Sequence, residues 1–144
     1  MSKTETTLLL KRTFAVSAAR LYEAWTSRAE LLCWYSAAED YVIHSVEIDL
    51  RVGGLMRAVF GPAGEEPIVE INEYREIVPG QRLEFDMTLM RGSSTLSKTR
   101  VRVEFRDLGS DSSELTLTDI GDDSWEHAQG WRPALELLAK HLRA

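Results

Sequence analysis

The sequence predicts an α+β domain in which a curved antiparallel sheet wraps around a long C-terminal helix. Three observations favour this fold class. Apolar residues recur with helical spacing near both ends of the chain. From His44 to Ile120 the apolar residues instead recur at every second position, which is typical of half-buried strands. Short turns rich in glycine and proline separate these runs, so one sheet and one long helix would pack as two layers.

The length and composition fit one ordinary globular domain over residues 1–144. The chain has 144 residues, 44% hydrophobic and 28% charged, with no repeat or linker-like segment. Its single cysteine, Cys33, excludes an internal disulfide and a cysteine-based zinc cluster. No apolar run has the length of a signal-peptide core or a membrane span, so we expect a cytoplasmic protein without membrane insertion. The net charge of −6 disfavours nucleic acid as a partner.

The N-terminal part is predicted to contain one strand and two short helices. The strand covers Leu8–Phe14. Ser17 fits the N-cap of the first helix, and Ser27 with Glu30 has the form of a capping box that opens the second. Apolar residues continue each helix: Ala18, Leu21 and Trp25 in the first, and Leu31, Leu32 and Trp34 in the second.

Six more strands are predicted in the middle of the chain. They are the run with Val46, Ile48 and Leu50, then Leu55–Phe60, Ile68–Ile77 and Arg82–Met90, the long run with Val101, Val103 and Phe105, and the run with Leu115 and Leu117. A tight reversal at Gly53-Gly54 separates the first two, and short turns separate the others. With Leu8–Phe14 they make a seven-stranded antiparallel sheet.

The last segment, Ser124 to Leu142, is predicted to be helical. Its apolar stripe consists of Trp131, Leu135, Leu138 and Leu142. Gly130 and Pro133 interrupt the pattern, because proline inside a helix removes one hydrogen bond and clashes with the preceding turn. We therefore expect the regular helix to begin or kink near Trp131, with Ser124–Gln129 as an entry turn.

Several stretches in this arrangement have a recognisable combination of residues. They are Arg12-Thr13-Phe14 followed by Ala24-Trp25-Thr26, Leu32-Cys33-Trp34-Tyr35, the run from Val46 to Gly54, the run from Tyr74 to Pro79 with Arg82-Leu83, and His127-Ala128-Gln129-Gly130-Trp131. In order and spacing they resemble the family named after the activator of the heat-shock chaperone ATPase, within the SRPBCC (START-like, helix-grip) superfamily. The resemblance spans essentially the whole chain.

The resemblance implies a helix-grip fold with seven strands, two small helices between the first two strands, and a cavity between the sheet and the C-terminal helix. Residues 1–144 would form a single START-like domain. Members of the superfamily bind lipids, polyketides, hormones and other apolar molecules, and some are cyclases or aromatase-like enzymes. The chaperone activity belongs to eukaryotic members with an additional domain, so the family name is not read as the function here.

The chain also departs from the family pattern. It reads Trp34-Tyr35 where the family often has two tryptophans, and Met56 where an aromatic residue is common. Asn72 and Pro133 stand at positions where the family pattern does not predict them. These changes would alter the shape and polarity of the cavity, so no ligand is transferred from a relative.

The candidate ligand-binding residues are the side chains expected around that cavity: Trp34, Tyr35, Met56, Phe85, Met87, His127 and Trp131. Trp34 and Tyr35 are expected near the mouth, and the two methionines in the apolar lining of the sheet. His127 precedes Trp131 by four residues on one helical stripe, so its imidazole could orient a ligand or transfer a proton. Core packing is the simplest explanation of the tryptophans, and a structural hydrogen bond at the helix start is the simplest explanation of His127.

Three functions remain open from the sequence. The first is a binding domain, without assigned catalysis, for a small apolar or amphipathic molecule, because a large inward apolar face is set against one helix. The second is an enzyme of the cyclase, hydrolase or dehydratase type that uses His127 with a carboxylate or tyrosine of the sheet. The third is a chaperone-linked protein-interaction module with an exposed apolar patch. The residues favour the first.

The charged residues suggest neither a docking stripe nor a metal site. Lys98, Arg100, Arg102 and Arg106 alternate with apolar residues on one strand, and Glu84 and Asp86 have matching outward positions on its neighbour. Pairing across the strands explains this stripe without an acidic partner. His44, His127 and His141 are scattered, and no phosphate-binding glycine motif is present, so we expect no metal and no cofactor.

Overall fold

A computed structural model describes residues 6–121 and 124–143, except for the side chains of residues 124–129. In this part of the chain, seven strands and three helices follow one another. They are β1 (Thr6–Phe14), α1 (Ala18–Thr26), α2 (Arg28–Trp34), β2 (Tyr41–Ile48), β3 (Leu55–Pro62), β4 (Ile68–Val78), β5 (Arg82–Arg91), β6 (Ser94–Gly109), β7 (Ser112–Gly121) and α3 (Ser124–Arg143).

The strands form one antiparallel sheet in the order β1-β7-β6-β5-β4-β3-β2. Strands β2 to β7 pair with their neighbours in sequence, whereas β1 pairs with the last strand, with Thr6 opposite Gly121. Register shifts interrupt four of the strand pairs. Because such bulges bend a strand and increase its twist, they curve the sheet towards α3. The predicted α+β fold with seven antiparallel strands and two short helices after the first strand is confirmed.

Serine caps define the two short helices, as the sequence predicts. The Ser17 hydroxyl accepts a hydrogen bond from the backbone N–H of Arg20 at 3.1 Å. Ser27 ends α1 in an extended conformation and its hydroxyl accepts from the N–H of Glu30 at 3.5 Å, which starts α2. Arg28 then donates through Nε to the backbone carbonyl of Val46 at 2.7 Å. This contact occupies a carbonyl of the edge strand β2 that would otherwise be available to another chain.

A cluster that combines an ion pair with a histidine hydrogen bond joins the three helices to one another. The Arg20 guanidinium of α1 contacts Glu30 of α2 at 2.7 Å, and Nε2 of His141 of α3 lies 2.9 Å from the same carboxylate oxygen. All three side chains are partly shielded from water, so the cluster fixes the helices more firmly than pairs on an open surface would.

The connection between β2 and β3 is longer than the two-glycine reversal predicted from the sequence. It covers residues 49–54 and contains Gly53 at φ +84°. The loop folds onto β4, because Gly53 donates to the Tyr74 carbonyl at 2.8 Å and Gly54 accepts from the Tyr74 N–H at 3.0 Å. A Cβ on Gly54 would lie 2.2 Å from the Asp49 carbonyl oxygen, so this close approach requires glycine.

Helix α3 corrects one prediction from the sequence. Its backbone is helical from Ser124, so the prediction that the regular helix begins near Trp131 after an entry turn is wrong, while the alternative, a kink near Trp131, stays a prediction. Pro133 lies inside the helix and costs about 3 kcal/mol relative to alanine. Trp131, Leu135 and Leu138 on either side of it are buried against the sheet, and each contributes about 1.5–3 kcal/mol. Burial of these side chains therefore outweighs the cost of the proline.

The core lies between the concave face of the sheet and α3, with α1 and α2 closing one end. Its centre is an aromatic cluster formed by Trp25, Trp34, Tyr35, Phe105 and Trp131. The ring of Trp25 lies 5.0 Å from that of Trp34 and 6.0 Å from that of Trp131, measured between centroids. The cluster joins both short helices, the sheet and α3 in one packed unit.

The outer face of the sheet shows the predicted cross-strand ion pairs. Three pairs each have a closest N···O distance of 3.0 Å: Arg100 with Asp86, Arg102 with Glu84, and Arg106 with Glu114. The first two pairs confirm the pairing predicted for the basic stripe, whereas the third, between Arg106 and Glu114 on β7, was not predicted. None of the helices in the described part of the chain combines the length and the apolar character needed to cross a bilayer.

Candidate functional site

A cavity of about 420 Å³ lies between the sheet, the segment that follows α2, and residues 130–134 in the middle of α3. Its volume is in the range of small-molecule sites. The described lining is mainly apolar, with Phe60, Ile68, Met87, Leu89, Leu96 and Trp131 among its larger side chains. Leu96 is 43% exposed, so the cavity reaches the surface of the protein at the start of β6.

Small residues create the space beside the helix. Ala37 and Ala38 follow α2, and Gly130 and Ala134 lie on the facing side of α3. A Cβ built on Gly130 would come within 3.3 Å of the Cβ of Ala37, so glycine allows the two segments to lie close together here. Larger residues at these positions would fill the cavity or push α3 away from the sheet.

A buried polar cluster forms part of the cavity wall. The Tyr35 hydroxyl donates to Oε2 of Glu70, and the Asn72 side-chain amide donates to the same oxygen at 2.7 Å. Tyr35, Glu70 and Asn72 are only 3%, 4% and 1% exposed. Tyr35 and Glu70 line the cavity, whereas Asn72 supports Glu70 from a neighbouring position on β4. The cluster thus presents a hydrogen-bonded carboxylate in a mainly apolar wall.

The environment keeps the Tyr35 hydroxyl protonated. Burial, and then the negative charge of Glu70, raises the pKa of Tyr35 well above its ordinary value of 10.0. At neutral pH this phenol is therefore a neutral hydrogen-bond donor and not a base. The described residues contain no group of three or more His, Cys, Asp or Glu side chains that could hold a metal ion.

Three of the seven candidate residues line the cavity: Tyr35, Met87 and Trp131. The indole of Trp131 is fixed by a hydrogen bond of 2.9 Å from its Nε1 to Oδ2 of Asp119, which is fully buried. Tyr35 is positioned by the adjacent ring of Trp34, whose centroid is 5.2 Å away. Both aromatic rings are therefore held in place by packing and by hydrogen bonds.

Trp34, Met56 and Phe85 lie in the core and are not among the described lining residues. Trp34 is fully buried and donates through Nε1 to the Ala24 carbonyl at 2.9 Å, which ties α2 to α1. Phe85 faces inward on β5, as its spacing predicts, but packs against Tyr74 with ring centroids 6.1 Å apart. The side chain of His127 lies outside those that the structure describes, so its role stays a prediction.

Glu70 is a site residue that the sequence reasoning missed. Along β4, the buried positions include Glu70, Asn72 and Tyr74, whereas the apolar Val69 and Ile71, on either side of Glu70, are only half-buried. A period-two pattern normally places the apolar residues inward. The only signal in the sequence was Asn72, whose presence departs from the family pattern, and it lies on the same face as Glu70.

Comparison with known proteins supports the same fold and identifies the family of the chain. The sequence model of the family described as Activator of Hsp90 ATPase homolog 1-like protein matches residues 15–143. The chain belongs to this family. A comparison with curated proteins gave no match.

Solved structures of similar proteins cover almost the whole chain. The Mll3558 protein from Rhizobium loti is 26% identical, with a TM-score of 0.83 over 98% of this chain and 99% of that one. An uncharacterised protein from Rhizobium leguminosarum is 21% identical, with a TM-score of 0.82 over 99% of this chain and 97% of its own. The AHSA1 protein from Silicibacter pomeroyi is 23% identical, with a TM-score of 0.80 over 96% and 98% of the two chains. The two likenesses below 25% identity show the fold alone.

Proposed function

We propose that this member of the Activator of Hsp90 ATPase homolog 1-like family binds a small apolar or amphipathic molecule in the cavity between the sheet and α3. The observation that carries the proposal is the cavity of about 420 Å³, whose wall is apolar except for a few polar groups. Small-molecule sites commonly combine an apolar lining with a few polar groups that orient the ligand. Here Glu70 and Tyr35 would supply those groups.

The packing around the cavity supports a binding role. A cavity of this size in a core costs stability, because the atoms that line it lose contacts on one side. The surrounding core is closely packed and includes fully buried Trp34, Leu117 and Leu138. A ligand would give the side chains that line the cavity the van der Waals contacts that they lack. We propose that these contacts drive binding.

The proposal is tested with N-phenyl-1-naphthylamine, an uncharged probe whose fluorescence rises in apolar surroundings. We expect saturable binding to the wild-type protein. Leu89 lines the cavity directly opposite Glu70 on the neighbouring strand, so Leu89→Trp would fill part of the space. We expect this variant to weaken probe binding by about tenfold or more.

A second leucine provides the matched control. Leu55 is 50% exposed at the start of β3 and does not belong to the described lining. Leu55→Trp makes the same chemical change without filling the cavity, so probe affinity should stay at the wild-type level. The proposal fails if the wild type shows no saturable binding, or if both variants weaken binding equally. Circular dichroism spectra and unfolding curves establish that both variants are folded.

The two alternative functions stay predictions. The enzyme hypothesis depends on His127, whose side chain is not described. The interaction-module hypothesis requires a contiguous apolar surface patch. The large apolar side chains exposed among the described residues include Leu50, Val52 and Leu55 around the β2–β3 loop, and others lie on separate elements.

A further inference from the structure

Four side chains of the cavity wall that can donate hydrogen bonds already have partners. The Tyr35 hydroxyl and the Trp131 indole each donate to a carboxylate. The Ser36 hydroxyl donates to the Ala38 backbone carbonyl at 3.3 Å, and Ser97 has a partner as well. A donor that is already bonded gains little from an acceptor on a ligand, because the existing bond must be shared or broken. None of these four side chains is therefore a free donor.

Tyr41 differs from these four side chains. It begins β2, lines the cavity and is half-buried. Its backbone N–H donates to the Ala38 carbonyl at 3.2 Å, which fixes the residue beside the segment that follows α2. Its hydroxyl forms no hydrogen bond with the residues that the structure describes, and it is not among the enclosed polar atoms that lack a partner. The phenol is therefore an accessible donor in the cavity wall.

The lining near Tyr41 is apolar. Tyr41 stands opposite Pro62 on β3, two residues beyond Phe60, and Phe60 in turn stands opposite Ile68 on β4. Both Phe60 and Ile68 line the cavity. In such surroundings a donor that a ligand covers without bonding costs free energy, because it loses its contact with water. A ligand with an acceptor at this place avoids that cost, so the phenol discriminates between ligands of the same shape.

An acceptor that brings no donor of its own fits this part of the wall best. A hydroxyl group on the ligand could accept from the phenol, but its own O–H would need a second, separately placed acceptor. A carbonyl oxygen accepts from the phenol and adds no donor. The apolar lining would still supply most of the affinity, while one hydrogen bond fixes the orientation of the ligand.

From this geometry we infer that Tyr41 determines the specificity of the cavity. Its preferred ligands are uncharged apolar molecules with a carbonyl oxygen that accepts a hydrogen bond from the Tyr41 phenol. The inference rests on the proposed function, and it names both the chemical class of the ligand and the residue that selects it.

Two uncharged ligands of nearly the same shape test the inference: 4-phenylbutan-2-one and (3-methylbutyl)benzene, in which a methyl group replaces the carbonyl oxygen. Their Kd values are measured by displacement of N-phenyl-1-naphthylamine from the wild type and from Tyr41→Phe. We expect this substitution to raise the Kd of the ketone about three- to tenfold and to leave that of the hydrocarbon unchanged. Each ligand is compared with itself, so the difference in hydration between the two ligands cancels.

Tyr22→Phe is the matched control. Tyr22 is also half-buried, but its ring packs against Phe105 with centroids 5.6 Å apart, and it does not belong to the described lining. We expect both Kd values to stay at the wild-type level in this variant. Equal weakening of ketone binding in Tyr22→Phe and Tyr41→Phe would overturn the inference, because the loss of any half-buried phenol hydroxyl would then have the same effect.

Infrared spectra of the wild type keep the inference testable should Tyr41→Phe not fold. The ketone is labelled with carbon-13 at its carbonyl group, and its band is compared with that of the same ketone in hexane. A hydrogen bond weakens the C=O bond, so we expect the band of the bound ketone at a lower wavenumber. A band at the position found in hexane would overturn the inference.

The remaining outcomes distinguish this inference from the proposed function. Equal weakening of both ligands in Tyr41→Phe, or no change for either, overturns the role of Tyr41 and leaves cavity binding standing. If neither ligand displaces N-phenyl-1-naphthylamine although that probe binds, the inference is again overturned alone. If N-phenyl-1-naphthylamine itself fails to bind, both proposals are lost.

Discussion

Removing one hydroxyl from the buried cluster should destabilise the protein measurably. In Tyr35→Phe the ring stays in the aromatic cluster, but Oε2 of Glu70 loses the hydrogen bond that Tyr35 donates. Both residues are almost fully buried, so water does not readily replace the lost donor. Removing a donor from a buried hydrogen-bonded acceptor costs about 1–3 kcal/mol. We expect the free energy of unfolding at pH 7 to fall by that amount.

The free energy of unfolding of Tyr35→Phe should also fall less steeply above pH 10 than that of the wild type. The pKa of Tyr35 in the folded state is raised above the ordinary 10.0, first by burial and then by the charge of Glu70. Below pH 10 both states keep the proton, so the stabilising contribution is complete. Above pH 10 the unfolded state loses the proton while the folded state keeps it, and the free energy of unfolding falls by about 1.4 kcal/mol per pH unit. Tyr35→Phe lacks this loss.

Urea unfolding followed by circular dichroism at pH 7 and pH 11 measures both effects. The stability difference between wild type and Tyr35→Phe should be about 1.4 kcal/mol smaller at pH 11 than at pH 7. Tyr74→Phe is the matched comparison, because burial, followed by the charges of Tyr22 and Glu70, raises the pKa of Tyr74 as well. For Tyr74→Phe, the stability difference from the wild type should also become smaller at pH 11. At pH 7 the loss of stability should be smaller than in Tyr35→Phe, since Tyr74 is not the donor to Glu70. A Tyr35→Phe loss below about 0.5 kcal/mol, or a difference independent of pH, would refute the reasoning.

Three further substitutions test the packing of the fold by urea unfolding at pH 7. Gly54→Ala places a Cβ 2.2 Å from the backbone carbonyl oxygen of Asp49 and should lower the free energy of unfolding by about 1–3 kcal/mol. Gly109→Ala is the control, because its Cβ would have no atom within 4 Å, so its stability should not fall. Equal losses in the two variants would contradict the steric argument. Leu138→Ala empties a fully buried site of α3 and should cost about 2–5 kcal/mol, and a loss under 1 kcal/mol would mean that α3 is not part of the core. Arg102→Ala breaks the ion pair with Glu84 on the exposed outer face and should change the free energy of unfolding by about 1 kcal/mol or less. A larger loss would contradict this expectation and show that the pair has a structural role.

The sequence predicted the architecture well because each signal was local. Only residues close together in the sequence determine the Ser17 and Ser27 caps, the period-two strands and the turns between these strands. The start of α3 was predicted wrongly for the same reason. Gly130 and Pro133 weaken a helix locally, and the contacts that keep it helical are made with residues far away in sequence.

The candidate site was harder to predict because its groups meet only in the folded chain. Tyr35 and Glu70 are 35 residues apart in the sequence. Glu70 faces inward on β4, although hydrophobic periodicity predicts that a polar residue in a strand faces outward. Met87 and Phe85 share one face of β5, but only Met87 lies beside the cavity. Position along a strand decides which inward residue lines the cavity, and hydrophobic periodicity carries no information about it.

The pairing of β1 with β7 also sets the order in which the protein can be completed during translation. The Thr6 hydroxyl donates to the backbone carbonyl of Gly121 at 2.8 Å, across 115 residues of chain. At about 5–20 residues per second, the ribosome needs roughly 6–23 s to make the partner of a strand that has already emerged. During that interval β2 to β6 can pair as successive hairpins, while the apolar residues of β1 have no strand to join. Although β1 is synthesised before the other strands of this sheet, it is therefore the last to be incorporated, and a chain that stalls before β7 leaves both β1 and the edge of β6 available to other nascent chains.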